Sequence, residues 1–309
     1  MSGILDAHTH LAPELDPATQ DVPVVPALLH DPEALAGHLR RLGLDGAIVS
    51  VPPPFFRTGQ LPAATREWVT AVNDGLLRRV AAHPTLHPLA YLPLDDPLLA
   101  LAEWESRRSD PLWVGAAGSA GGGALSLADT RFDPLWQMLS ADDAPLLLHP
   151  GESPDERLDE FYLANLLGNP METAIAAGQL VFGGVLARFP RLKVLLVHCG
   201  GVVPAVAGRW ERGHVTARPG LDPSLERPSA ALRRLHSDSL GHDVGMLGLA
   251  AEVFGHDHVV LGSDWPFPMG DDDPRSSVAA LTDDLRHAVE GGAARLFQTR
   301  LAARTHRRA

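Results

Sequence analysis

Eight short apolar runs punctuate this chain, at 4–8, 46–51, 86–92, 112–117, 145–150, 193–199, 232–238 and 258–264. Helical patterns lie between them. Strand alternating with helix marks parallel βαβ units, and eight units predict closure into an α/β fold of the (β/α)8 TIM-barrel type rather than an open sheet. The 309 residues suffice for one such barrel and no long linker interrupts them, so residues 1–309 read as a single domain. Helices are expected over 31–43, 64–82, 97–108, 133–141, 171–188, 203–213, 243–254, 276–290 and 292–300. The first has the clearest ends, with Asp31 as N-cap, Pro32 at the first helical position and Gly43 as the stop.

The carboxyl ends of these runs carry the chemistry. In "ILDAHTH" the two histidines His8 and His10 stand two apart on a strand, so both imidazoles face the same side. His149 closes the fifth run, His198 the sixth and Asp264 the eighth. Parallel barrel strands bring their carboxyl ends to one face, where such enzymes keep their active sites. Imidazoles and a carboxylate converging there suit Zn²⁺ or a similar divalent ion with an open position for water. Any one of these residues alone has a packing role as its plain alternative; five in strand-terminal register point to a metal centre. The residues by themselves do not say which of the five bind the ion. His242, just past the seventh run, is placed to line a pocket.

Other chemistries fit less well. The glycine fingerprint of dinucleotide binding does not follow the first strand, whose slot is taken by "HTH". Cys199 is the only cysteine; it excludes an intrachain disulfide and, adjacent to His198 on a strand, faces the opposite way, as a packed thiol would. "GESPD" (151–155) fails the serine-elbow pattern at its last position. A formal net charge of −12 disfavours nucleic acid and anionic membranes. No run approaches the ~18 apolar residues of a membrane span, and the expected setting is cytoplasmic. The irregular stretches 11–30, 52–62, 151–170 and 214–231, several of them directly after strands, are expected at the catalytic face. "GSAGGGALS" (118–126) is expected to be a mobile loop over the site mouth. Two-metal barrels that bridge their ions with a carbamylated lysine carry it at the end of the fourth strand. Here the only lysine, Lys193, begins the sixth strand, roughly 16 Å from the catalytic face at ~3.3 Å per residue, so one ion is expected.

With these residues in view, the chain resembles the amidohydrolase superfamily, in the branch related to α-amino-β-carboxymuconate-ε-semialdehyde decarboxylase. The most specific stretches are "DAHTH", 169–213 with "NPMETA" and "LLVHCGG", and 237–270 with "SDSLGHD" and "LGSDWPFP". The resemblance implies one divalent ion, usually zinc and sometimes manganese, held by His8, His10, His149 and Asp264, with His198 as an unliganded acid/base. It implies a metal-dependent decarboxylase of a small unsaturated or aromatic carboxylic acid, Asp264 orienting water as well as binding the ion. A hydrolase of a lactone, amide or ester is the alternative on the same machinery; a barrel holding metal without turnover is a third. Two pocket positions depart from the family pattern: Leu35 stands where a carboxylate-binding arginine is expected, and a tryptophan is missing near Ala164 and Asn165. Arg218 matches an arginine that reaches into a partner's site. A homodimer is therefore expected, with Arg218 and His242 holding the substrate carboxylate.

Overall fold

The computed structural model describes residues 3–308 except 19, 58–64, 124 and 152, and gives no side-chain placement for 306–308. The part of the expected 52–62 loop that falls on 58–62, and Glu152 of "GESPD", lie outside the described residues.

Eight parallel strands stand in sequential order: β1 (Leu5–His10), β2 (Gly46–Ser50), β3 (Leu86–Tyr91), β4 (Gly115–Ser119), β5 (Leu146–His149), β6 (Val194–Leu196), β7 (Leu235–Asp238) and β8 (Val259–Val260). β8 is short, and the ring closes beyond it through single hydrogen bonds: Ala7 N–H to Leu261 O at 2.8 Å, Asp264 N–H to His8 O at 2.8 Å, and His10 N–H to Trp265 O at 2.9 Å. The seam between last and first strands thus runs through the residues that carry the site.

Strand alternation divides the core into two layers. Ile48, Leu89, Leu147 and Leu195 pack together with Phe297 and Leu301. Their strand neighbours Ala47, Val49, Leu146, Leu148, Val194 and Leu196 pack instead with the outer helices. These helices are α1 (Pro32–Leu42), α2 (Arg66–Val80), α3 (Pro97–Arg107), α4 (Asp133–Ala141), α5 (Asn169–Phe182), α6 (Val185–Arg188), α7 (Val203–Val215), α8 (Pro228–Leu232) and α9 (Val244–Phe254). Three more, α10 (Pro274–Val278), α11 (Asp283–Leu296) and α12 (Gln298–Arg308), complete the chain. α1 has the predicted ends: the Asp31 carboxylate accepts from Ala34 N–H, and Gly43 turns left-handed at φ 64°.

Three expectations need correction. The helix expected over 171–188 is two, α5 and α6. A Cβ on Gly183 would meet Ala128 Cβ at 2.2 Å, and Gly184 sits at φ 68°, a conformation that ends a helix. The helices expected over 276–290 and 292–300 are divided elsewhere. Gly291 and Gly292 lie inside α11, where a Cβ on Gly292 would meet Val259 O at 2.9 Å; glycine lets this helix lie against β8. The actual break falls before Asp283 and Asp284, whose carboxylates favour a helix start. Finally, β4 lies later than 112–117. Gly118 and Ser119 of the glycine-rich segment belong to it, and Gly122 N–H donates to the Glu172 carboxylate at 3.1 Å, so its described residues are held against α5.

Phe297 and Leu301, both buried, fill the barrel interior from the C-terminal helices. Phe297→Ala is expected to lower unfolding free energy by about 3–5 kcal/mol, measured by urea melts. A loss below ~1 kcal/mol would mean the interior can collapse around the gap.

Candidate metal centre and active-site cavity

Each strand end contributes what its register demands. His8 and His10 extend from β1, His149 ends β5, and His198 follows β6 in a turn at φ 54°. Asp238 ends β7, and Asp264 follows β8 at φ 59°. His8 and His10 are completely buried, and Asp264 is nearly so. Donor atoms of His8, His149, His198 and Asp264 all lie within 4.8 Å of one another. His10 belongs to the same centre: its Nε2 is 3.1 Å from His8 Nε2 and 2.9 Å from Asp264 Oδ1. Five groups therefore face one point.

The outward nitrogens divide these histidines into two kinds. His8 Nδ1–H donates to Asp238 Oδ2 at 2.7 Å. His149 Nδ1–H donates to Pro150 O at 2.9 Å. His10 Nδ1 faces Val51 O at 3.3 Å, with Ser50 Oγ at 3.1 Å; the carbonyl only accepts, so this nitrogen carries the proton. Each ring is thereby fixed with a bare Nε2 lone pair turned inward, the arrangement of a metal-binding histidine. His198 is different. Its Nδ1 is buried without a partner, and its Nε2 lies 3.6 Å from Asp264 Oδ2.

Three inward lone pairs beside a carboxylate oxygen repel one another unless a cation lies between them. His149 Nε2, buried and without a hydrogen-bond partner, marks the same deficit. The set of buried imidazoles beside one carboxylate fits a divalent ion, which the sequence expected His8, His10, His149 and Asp264 to hold.

Electrostatics agree with this division. Burial holds His8, His10 and His149 below the ordinary imidazole value, His149 at about 4, so all three are neutral donors at pH 7. Burial also depresses His198, but the Asp264 carboxylate outweighs it and raises this ring above its ordinary value. Burial would raise Asp264, yet the surrounding histidines hold it well below the usual carboxylate range.

A cavity of about 290 Å³ opens over this centre, bounded by His149, His198 and Asp264. Its walls include Leu240, Met246, Phe267 and Met269, with Asn165, Asn169 and His242 as polar groups; among the described residues no lysine or arginine lines it. His242 therefore sits where the sequence placed it. Arg218 does not line this cavity: it is exposed, and its guanidinium donates to Thr216 O at 3.0 Å. Leu35 is buried in the core, and no described residue of 118–126 reaches the cavity. Lys193 pairs with Asp143 at 2.7 Å. Cys199 is buried, and burial together with Asp238 pushes its thiol up, but it does not face away from His198: both follow β6 in a turn, where strand alternation no longer applies, and both line the cavity.

Two features escaped the sequence reading. Asp238, completely buried, ends the seventh strand and was open to the same strand-end argument that singled out Asp264. The π-helical turn Ala164–Gly168, which brings Asn165 to the cavity, leaves no such pattern, although π-turns gather at functional sites.

The amidohydrolase family profile matches residues 5–299. The 2-amino-3-carboxymuconate-6-semialdehyde decarboxylase of Dictyostelium discoideum is 29% identical over 277 residues, spanning 86% of this chain and 76% of that protein. The crystal structure of 5-carboxyvanillate decarboxylase from Sphingomonas paucimobilis superposes with a TM-score of 0.82 at 23% identity, covering 96% of this chain and 99% of that one. A dihydroxybenzoic acid decarboxylase from a Polaromonas species, solved with manganese and the inhibitor 2-nitroresorcinol, superposes with a TM-score of 0.78 at 23% identity, covering 96% and 97%. These structural likenesses establish the fold.

The ligand assignment has a direct check. His8→Gln and His149→Gln are each expected to lower Mn²⁺ or Zn²⁺ affinity at least about tenfold, with His198→Gln close to wild type, read as metal per chain after dialysis. Loss of metal in His198→Gln would make His198 a ligand instead.

Proposed function

This chain belongs to the amidohydrolase family, and from that premise we propose that it is a metal-dependent carboxy-lyase acting on a small unsaturated or aromatic carboxylic acid. The observation that carries the reading is the position of His198. It lies on the cavity surface beside Asp264, has no outward anchor, and is the one histidine of the centre raised above its ordinary value. The relatives named above are decarboxylases.

The cavity fits such a substrate. Apolar side chains take a planar ring or unsaturated chain, and His242, Asn165 and Asn169 offer hydrogen bonds to its substituents. With no described lysine or arginine in the lining, the ion would be the main positive charge one copy offers the carboxylate, beside the proton on His198. When bound, the ion supplies Lewis acidity and charge neutralisation at the substrate's oxygens. His198 then holds a proton at Nε2, within reach of the carbon bearing the carboxylate. Transfer of that proton forms a C–H bond; the C–C bond to the carboxylate breaks, its electron pair returns to the unsaturated system, and carbon dioxide leaves. Asp264 fixes the His198 ring and keeps the centre's charge balanced.

Zinc is the ion we propose, from the nitrogen-rich donor set, with manganese as the alternative. One ion per chain is in keeping with Lys193 being engaged by Asp143. The buried lone cysteine accords with a reducing, cytoplasmic setting. A homodimer also belongs to the proposal. Phe161, Tyr162, Leu166, Leu167, Met171 and Ile175 are exposed along the segment that walls the cavity, and such apolar patches favour association. A second copy on this face would supply its Arg218 for the substrate carboxylate.

Carbon dioxide release from a panel of aromatic and unsaturated acids tests the reaction. The expected result is turnover that falls about 10²–10⁴-fold in His198→Asn with metal content unchanged. Carboxylate release from lactones, amides or esters, without carbon dioxide, would transfer the chain to the hydrolase alternative. Sedimentation as a dimer, with activity lost in Arg218→Ala, is the expected outcome for the second copy. A monomer indifferent to that substitution would remove it.

A further inference from the structure

Asp238 lies outside the set of groups that face the ion, yet four N–H donors converge on it. Its Oδ2 accepts from His8 Nδ1 at 2.7 Å and from His198 N–H at 3.0 Å. Its Oδ1 accepts from Cys199 N–H at 2.7 Å and from Leu240 N–H at 3.1 Å. The residue is completely buried, so these bonds have no competition from solvent. Two of the three backbone groups it holds belong to His198 and Cys199, both at positive φ, 54° and 56°. Such conformations are unfavourable in a residue other than glycine and persist only when surrounding bonds impose them.

We propose that Asp238 is a positioning residue that sets two parts of the site at once: the tautomer of the metal-binding His8 and the strained turn that presents His198. The chemistry of its surroundings requires a carboxylate. An asparagine offers one oxygen and one NH2. Placed with its NH2 at the Oδ2 position, it meets the His8 N–H and the His198 N–H, donor against donor. Turned over, its NH2 meets the Cys199 and Leu240 N–H groups instead. In the first arrangement His8 escapes the clash only by moving its proton to Nε2, which then points at the ion. In the second, the turn loses its clamp at Cys199, and the chain after β7 loses the one at Leu240. The inference rests on the reading of His8 as a ligand.

The test uses the full chain, dialysed free of metal, as wild type, Asp238→Asn and His8→Gln. Two quantities are read: Zn²⁺ affinity by competition with a chromophoric chelator, and the rate at which the single cysteine reacts with a disulfide reagent. The second reports opening of the turn and needs neither substrate nor ion. Asp238→Asn is expected to weaken Zn²⁺ binding about 10–100-fold and to speed Cys199 labelling at least about tenfold. His8→Gln is expected to lose Zn²⁺ affinity with the labelling rate unchanged. Wild-type behaviour of Asp238→Asn in either readout overturns the proposal. Wild-type Zn²⁺ affinity in His8→Gln overturns the ligand reading beneath it. Should Asp238→Asn not fold, ¹⁵N imidazole shifts of the wild-type protein decide, the His8 signal being identified by its absence in His8→Gln. A proton on Nδ1 is the expected result, and a proton on Nε2 overturns the proposal.

Discussion

The seam where β8 meets β1 and the site that faces the ion are the same place. Ladder pairing between these strands is sparse, and closure relies on backbone bonds from Ala7, His10 and Asp264. His8 and His10 on one side of the seam oppose Asp264 on the other, with Asp264 Oδ1 3.2 and 2.9 Å from their Nε2 atoms. A cation between them converts mutual repulsion of acceptors into attraction across the closure. Binding that favours the closed barrel also stabilises it by mass action. The catalytic group and the last stitch of the fold are therefore under one constraint, which explains why β8 can be only two residues long.

The same economy is visible in the backbone. Nine described residues other than glycine have positive φ, and five of them, Tyr162, His198, Cys199, His242 and Asp264, line the cavity. Strain of this kind persists where surrounding bonds over-determine it. Around Asp264 the bonds are the N–H donated to His8 O and the contacts with the histidines; around His198 they come from Asp238. Turns of left-handed geometry direct a side chain to where a regular strand continuation would not. That is how groups on β6 and β8 reach the point already faced by β1 and β5.

This explains which parts of the site were legible in the sequence. His8, His10 and His149 sit at or beside regular strand ends, where period-two geometry predicts their direction. His198 and Asp264 were found by register, but their roles depend on what their outward atoms touch, which strand spacing does not encode. The outer bonds of His8, His10 and His149 end on Asp238, Val51 O and Pro150 O, two of them backbone groups with no identity in the sequence. Helix ends followed the same logic. Asp31 and Gly43 act locally and were read correctly, whereas Gly292 is a packing glycine against β8, indistinguishable in sequence from a helix stop. Gly115 and Gly118 in β4 are of the same kind, since a Cβ on Gly115 would meet Pro145 O at 2.4 Å.

A chain of net charge −12 that takes up an anion needs a local source of positive potential. Among the described residues no lysine or arginine lines the cavity, and His198, raised above its ordinary value beside Asp264, is the side chain there that favours a proton. The ion supplies that potential at the carboxylate undergoing reaction, where the charge does chemical work as well as binding. A substrate with a second carboxylate would require another cation, and in a single copy of this chain the pocket positions do not provide one: Leu35 is core, and Arg218 faces away onto Thr216 O. Selection between mono- and dicarboxylates therefore falls to whatever covers the exposed apolar segment around Phe161 and Leu166. A dimer that brings in Arg218 widens the substrate range to dianions. A monomer restricts the cavity to acids whose remaining substituents are neutral, with Asn165, Asn169 and His242 to recognise them. The metal centre sets the reaction, and the surface beside it sets the charge of the substrate.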